Sequence, residues 1–246
     1  TYNNLNTSGS GTKTLGGDVI VGGNLTIGSG TVVDVSSTNN SLNIRALSVA
    51  GNWSNNGTFT PRSGTVTLTG SSGTQTISGS TTFNHLTING TGTTKDFGSS
   101  TNTINGNLTV TAGVMNAGTS TFIFNGSGSL AGANAKRFYD VQINSGVTTT
   151  ISSDQVFIAR NLINNGIYTY SSGVKKTTLN GSSAQSISGS GTTTFGDLTV
   201  NNSSGGITLS QDVSIDGALT LTSGIISAAT NKVTIGANGS VSGGSN

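Results

Sequence analysis

Cysteine and glutamate are absent from this chain, and charged residues of any kind are scarce. Only 7% of the 246 residues are Asp, Glu, Lys or Arg, whereas about 25% is usual in soluble domains. Without cysteine the chain has neither a disulfide framework nor a thiolate metal site. Its polar surface must therefore be built from neutral Thr, Ser, Asn and Gly.

Long apolar segments and basic runs are missing as well. No run of apolar residues is long enough for a transmembrane helix, so we expect no membrane insertion. Basic residues form at most pairs, such as Lys136–Arg137 and Lys175–Lys176, so nucleic acid is not an expected partner. No basic and apolar leader precedes Thr1, which indicates a processed chain or an excerpt from a longer protein.

The apolar residues, 31% of the chain, are regularly spaced and rich in Val and Ile. Short segments such as 19–21 and 213–215 alternate with period two, which is typical of β-strands with one buried side. Asn-Gly pairs, which suit sharp turns, separate many of these segments. The pattern predicts an ordered all-β protein rather than a disordered low-complexity tract.

Three sequence signatures recur with a common period. The first, an aromatic residue followed three positions later by Leu or Val, is seen at Phe83, Phe138 and Phe195, in steps of 55 and 57, with a degenerate copy at Tyr2. The second is a small-residue step before Leu or Trp, at Leu25, Trp53, Leu108, Leu162 and Leu219. The third is a strand that ends in Gly, around Leu68, Phe124, Leu179 and Ile235. Such a period indicates a repeat architecture.

Strand spacing within one module predicts the fold. Strand centres near Leu68, Leu86, Ile104 and Phe124 give about 18 residues per turn, hence three turns per module and about 13 turns in all. We therefore predict a parallel β-helix, or β-solenoid, that runs as one domain through residues 1–246. Asn-Gly also marks antiparallel hairpins, so a β-propeller or stacked hairpins is the structural alternative.

The predicted modules are 1–81, 82–136, 137–193 and 194–246. The first is long, and we expect one to one and a half extra turns near 32–50. The tail 239–246 matches 73–80, so joining residue 246 to residue 1 would preserve the period. Open strand edges at the ends predict self-association, either in a tandem array of repeats or by end-to-end stacking of chains.

Several units of the repeat carry a resemblance to known proteins. The segments 82–89, 194–201 and 212–224 resemble repeats in the β-helical stalks of large secreted, Bacteroidetes-type bacterial surface proteins. More loosely, they are similar to filamentous-haemagglutinin and autotransporter adhesins. The resemblance implies a right-handed coil, an extracellular or cell-surface location, and a stalk or adhesive role. It transfers no catalytic residues.

Few side chains are candidates for chemistry. His85 occupies a signature position that is Asn4, Asp140 and Asp197 in other copies, so we interpret it as a solvated or turn-adjacent polar site. With three turns per module, the two Asp would lie about 14 Å apart along the axis, too far for a glycosidase pair. No metal-ligand spacing is present, and we expect no catalytic residue, metal or cofactor.

Aromatic residues offer the only candidate surface contact. Trp53 stands where other copies have Leu, which predicts a core position. Tyr168 and Tyr170 are two apart and should share one side of a strand. If that side faces outward they form a small glycan or surface contact, and if it faces inward they belong to the core.

Threonine-rich strands raise the question of ice binding. Such binding needs a flat, regular Thr array on one side of successive turns. The runs at 65–67, 148–150 and 192–194 fall at different phases of the 55-residue module, which argues against a shared side.

The sequence thus favours a structural or adhesive extracellular protein, or a filament building block. The alternatives are a β-helical polysaccharide lyase or hydrolase, which would need Asp with Arg or Lys in one groove, and a carbohydrate-binding module, which would need an exposed aromatic strip. Glycans or host surfaces are possible further partners.

Overall fold

A computed structural model describes residues 1–36, 45–153, 155–173 and 175–244. Its described residues form strands and turns, with no helix among them. The chain divides into two compact units, 1–120 and 121–246. Both are parallel β-solenoids. Together they contain about 11 turns, and each turn has about 21 residues. The predicted fold class is confirmed, and the predicted turn of 18 residues is too short.

The first unit is built from short strands, most of them three to five residues long. In chain order they are β1 (Leu5–Thr7), β2 (Gly11–Thr14), β3 (Val19–Val21), β4 (Leu25–Ile27), β5 (Thr31–Asp34), β6 (Ala46–Val49), β7 (Trp53–Asn55), β8 (Thr58–Thr60), β9 (Thr65–Leu68), β10 (Thr74–Ser78), β11 (Thr81–Phe83), β12 (His85–Asp96), β13 (Thr101–Ile104) and β14 (Leu108–Asn116).

Parallel pairing in the first unit joins equivalent strands of successive turns. The series are β1–β4–β7, β2–β5–β8 and β3–β6–β9, with β11 beside β13. The long strand β12 pairs with two different strands of the preceding turn. Its residues 85–88 pair with β9, and its residues 94–96 pair with β10.

The second unit consists of three ladders. Ladder 1 contains β15 (Thr121–Phe124), β18 (Asp140–Ile143), β21 (Asn161–Asn164), β24 (Gln185–Ser188), β27 (Ile207–Leu209) and β30 (Ile226–Ser227). Ladder 2 contains β16 (Gly128–Ala131), β19 (Thr148–Ile151), β22 (Ile167–Tyr170), β25 (Thr192–Phe195), β28 (Val213–Ile215) and β31 (Val233–Ile235). Ladder 3 contains β17 (Lys136–Phe138), β20 (Val156–Ile158), β23 (Lys176–Leu179), β26 (Asp197–Asn201), β29 (Ala218–Ser223) and β32 (Ser240–Gly243).

One turn of the second unit therefore comprises three strands, one on each ladder. Paired residues such as Val156 and Thr177 stand 21 apart in sequence, and the pairing within these ladders is parallel. Propeller blades and stacked hairpins would both need antiparallel pairs, so these alternatives are excluded for the described ladders. Handedness stays a prediction of the resemblance.

The sequence repeat spans eight strands rather than three full turns. Phe138 lies in β17 and Phe195 in β25; the second signature moves from β21 to β29, and the third from β23 to β31. Eight strands are two and two-thirds turns, so each new copy of a signature falls on a different ladder. The predicted three turns per module is wrong, because the spacing of about 18 residues between strand centres was taken as one turn, whereas a turn contains about 21 residues.

The stretch near 32–50 lengthens one turn instead of adding another. Strand β3 pairs directly with β6, and the partners Val21 and Val49 stand 28 residues apart. Residues 37–44 within this stretch lie outside the described residues, as do Asp154, Val174 and the last two residues of the chain.

The core follows from period-two alternation in strands that coil round a common interior. Trp53 is fully buried, as predicted, and packs against Phe59 and Phe83 with ring centroids 5.0 and 5.4 Å away. The signature aromatics Phe138 and Phe195 of the second unit are buried as well. Apolar burial of this kind is the main stabilising contribution to each unit.

Candidate functional site

Tyr168 belongs to the core of the second unit. Its side chain is 1% exposed and packs on Phe195 with a centroid distance of 5.2 Å. Its hydroxyl lies 2.7 Å from the hydroxyl of Thr177, and burial raises the pKa of the phenol. The surface contact considered for Tyr168 is therefore corrected to the inward alternative.

Tyr170 is half-buried at the end of the same strand and reaches the surface. Its hydroxyl donates a hydrogen bond of 2.9 Å to the Asp216 carboxylate. This bond, followed by partial burial, raises the pKa of Tyr170. The two tyrosines therefore form no common surface patch. The Tyr170 hydroxyl instead holds a surface carboxylate that lies two turns further along the chain.

One polar position in the first signature links each turn to the next. Asn4, His85, Asp140 and Asp197 each accept a hydrogen bond from the backbone N–H of a residue 20 to 22 positions later. The donor–acceptor distances are 2.7, 2.9, 3.1 and 2.8 Å. These N–H groups follow sharp corners, where the strand ladder supplies no acceptor. The position predicted to be turn-adjacent is thus a turn-to-turn link.

Asn residues of the second signature make the same link. Asn24 accepts from the N–H of Asn52 at 2.8 Å, and Asn52 in turn accepts from that of Thr76 at 2.9 Å. Asn161 accepts from the N–H of Ser186 at 3.1 Å. The sequence carried a usable signal, because the four copies of the first signature have Asn, His or Asp at this position and the second signature has Asn at 24, 52 and 161, although Ala218 breaks the pattern in the last copy.

Asp140 and Asp197 do not stack on one side. Asp140 begins β18 on ladder 1 and Asp197 begins β26 on ladder 3. The expected separation of three turns along the axis is therefore wrong, for the same reason as the turn count. Each carboxylate accepts a backbone N–H at its own corner.

Two arginines of the second unit lie over aromatic rings. The Arg137 guanidinium is 4.5 Å from the centroid of Phe157, and that of Arg160 is 5.1 Å from the centroid of Tyr139. Arg160 also donates to Asp140 at 3.0 Å. The neighbouring Tyr139 and the charge of Asp140 together raise the pKa of Arg160. A sugar would stack on an open ring face, and here a guanidinium occupies one face of each ring.

The first unit has its own ion pair, at the corner after β5. Arg62 donates from Nε and Nη2 to the two carboxylate oxygens of Asp34, at 3.0 and 2.6 Å. This two-point contact lowers the pKa of the Asp34 carboxyl more than its burial raises it. The pair ties together two successive turns.

Lys95 is buried in the first unit, which was not predicted from the sequence. Its ammonium donates to the carbonyl oxygen of Gly70 at 2.7 Å and to the hydroxyl of Thr93. Burial lowers the pKa of Lys95. Its register partner Gln75 meets a similar need with a neutral amide, whose Nε2 donates to the carbonyl of Val49 at 2.9 Å.

Lys136 plays the corresponding part in the second unit. It has no exposed surface and donates to the Asn134 carbonyl at 2.7 Å and to the Ser153 hydroxyl at 2.8 Å. The signal for both lysines was their place in the alternation of inward and outward residues. Lys95 stands two residues before the buried Phe97, and Lys136 stands two residues before the buried Phe138. Inward polar groups of this kind satisfy corner carbonyls that no strand reaches.

An apolar groove of about 520 Å³ lies beside the last strands of the second unit. Leu219, Leu221, Ile225 and Val233 line it, and Ile225 is 70% exposed. Within the described ranges no three His, Asp or Glu side chains come together as a metal site, and no helix could cross a membrane.

Comparison of this chain with protein-family models, with curated proteins and with solved structures found no match.

Proposed function

We propose that this chain is a structural and adhesive section of a secreted bacterial surface protein, in which the solenoid serves as a stiff, non-catalytic spacer. Turn-to-turn bonding is the observation that carries this proposal. Beyond the parallel ladders, corner side chains such as Asn52, His85 and Asp197 hold the N–H groups of the following turn. Pulling two turns apart must therefore break side-chain bonds as well as the ladder.

The surface supports an extracellular location. With only 7% charged residues and no cysteine, the stability of the fold depends little on salt or redox conditions. Asp140 and Asp197 serve separate corners of different ladders, an arrangement that favours the structural proposal over a polysaccharide lyase or hydrolase.

The apolar groove of the second unit supports self-association. Its exposed Ile225 and the outer edges of β30, β31 and β32 would be covered by a further turn with the same repeat pattern. Unpaired parallel edges with an apolar interior are templates for a similar strand. The partner in this proposal is another repeat of the same kind, from the same chain or from a second copy.

Immunogold electron microscopy of the source cells tests the proposal. Antibodies against this chain should label extended material outside the cell envelope, and the purified chain should form filaments or end-to-end oligomers as its concentration rises. Labelling confined to the cytoplasm contradicts the extracellular role. A chain that stays monomeric at every concentration contradicts stacking between copies and leaves the covalent array as the form of self-association.

A further inference from the structure

Three stacked strands of ladder 2 present a regular outer surface. The residues at the centres of these strands, Thr149, Tyr168 and Thr193, are at most 2% exposed and pair with one another in register. Because side chains alternate along a strand, the residues on either side of each point outward. We call this outward set the threonine grid; its members are Thr148, Thr150, Ile167, Thr169, Thr192 and Thr194.

The grid repeats in two directions. In one row Thr148 pairs with Ile167 and Ile167 with Thr192. In the other row Thr150 pairs with Thr169, and Thr169 and Thr194 each follow a residue of the register pair Tyr168–Thr193. Neighbouring strands lie about 4.8 Å apart, and residues two apart along a strand about 6.7 Å apart. Hydroxyl side chains continue the row of Thr150, Thr169 and Thr194 in both directions. Ser129 precedes the grid, and Ser214 and Thr234 follow it.

Two of the threonine runs share one side of the second unit, contrary to the prediction from the sequence. Residues 148–150 lie in β19 and residues 192–194 in β25, six strands or two complete turns later. Both runs therefore return to ladder 2, although they occupy different phases of the eight-strand repeat. In the first unit, Thr67 pairs with Thr87 and Thr87 with Thr109, so a shorter hydroxyl row exists there as well.

The chemistry of the grid suits a crystalline surface rather than a single small molecule. Small ligands bind in concave pockets, whereas this array is one side of a continuous ladder. Each Thr offers a methyl group beside a hydroxyl, and Ile167, at 44% exposure, adds an apolar side chain in the same row. The grid itself carries no charge. In the row of Thr148, Ile167 and Thr192, charged residues occur only beyond the grid, at Asp212 and Lys232.

We propose that the threonine grid binds ice. Methyl groups constrain the water next to them, and hydroxyls at fixed spacing anchor that water by hydrogen bonds. A two-dimensional lattice of both groups orders water with a periodicity comparable to that of an ice surface. A crystalline polysaccharide is the competing occupant, but sugar rings stack on aromatic faces, and the aromatic ring at the centre of the grid, Tyr168, is turned inward.

Ice affinity of the purified, fluorescently labelled chain tests this inference. The chain should become incorporated into slowly growing ice and should inhibit ice recrystallisation. Thr169→Lys and, separately, Thr194→Lys place a charge in the grid and should abolish most of this incorporation. Thr208→Lys adds the same charge to the outer side of ladder 1 and should leave it intact. Circular dichroism verifies that each variant remains folded.

Three results would overturn the inference. One is exclusion of the wild-type chain from ice to the same degree as an inert control protein. Another is equal incorporation of all three lysine variants and the wild type. The third is retention on crystalline cellulose or chitin without incorporation into ice, which would assign the grid to a polysaccharide surface.

Discussion

Buried polar side chains set the local chemistry of this fold. The Lys95 side chain is fully buried, and its ammonium donates to the Gly70 carbonyl and the Thr93 hydroxyl, neither of which carries a charge that would offset its own. Desolvation therefore dominates and lowers the pKa of Lys95. Gln75, its partner on the preceding turn, shows that a neutral amide can serve the same kind of corner.

Replacing Lys95 by Gln should remove a pH-dependent part of the stability. The pKa is lower in the folded chain than the 10.5 of an ordinary lysine, so between the two values the unfolded chain binds more protons. In that window the free energy of unfolding of the wild type rises with pH. Below the folded pKa both states are protonated, and this contribution no longer changes.

Urea unfolding at a series of pH values up to about 10.5 measures this difference. Lys95→Gln should lack the rise that the wild type shows. The exposed Lys176 provides the control, since Lys176→Gln should keep the wild-type pH dependence. If Lys95→Gln and the wild type respond to pH identically, the lysine retains its ordinary pKa and the desolvation argument fails.

Inward and outward positions could largely be predicted from the sequence, but polar exceptions could not. The equivalence of Trp53 with Leu in other copies was sufficient to place this ring in the core. Alternation could not tell whether Tyr168 faces inward, because a phenol suits a core with a hydroxyl partner and a surface equally well. A charged residue such as Lys95 is rarely buried without an ion pair, so its phase alone was not enough to assign it.

Corners are the elements in which this solenoid differs from a simple stack of strands. A parallel ladder satisfies N–H groups within strands, while the chain between strands must find other acceptors. Side chains of Asn, Asp and His fill that need at the start of the following strand, as Asp197 does for the N–H of Ala218 at 2.8 Å. The signatures repeat because both the apolar position and this acceptor recur.

Asp197→Ala should destabilise the second unit by about 1 kcal/mol, because the N–H of Ala218 loses its partner at a corner. Asp197→Asn keeps an acceptor oxygen in the same place, as Asn4 does in its own copy, and should cost much less. Urea or thermal unfolding of the two variants, followed by circular dichroism, gives the comparison. Equal losses for Ala and Asn would mean that the side-chain acceptor contributes nothing to turn-to-turn bonding.

Repeat length and turn length are separate quantities in the second unit. The repeat of 57 residues from Phe138 to Phe195 contains eight strands, whereas three strands close one turn. The sequence shows the first quantity directly. It does not show the second, because nothing in a strand's alternation states which of three equivalent ladders it joins. The spacing of about 18 residues between strand centres was therefore taken as a full turn, whereas a turn contains about 21 residues.

Two deletions in the second unit test this count. Removing residues 156–176 takes out one full turn, so Thr177 occupies the position of its register partner Val156 and every later strand keeps its ladder. We expect this variant to unfold cooperatively, with a lower midpoint and a smaller dependence on urea because less surface is buried. Removing only 156–166 takes out two strands and moves each later strand to a different ladder.

The shorter deletion should therefore be the more damaging one. Its later strands meet neighbours and corners that they do not contact in the native fold. Circular dichroism and urea unfolding of both variants decide the matter. If the 156–166 deletion proves as stable and cooperative as the 156–176 deletion, the three ladders are interchangeable and a turn need not be conserved as a unit of three strands.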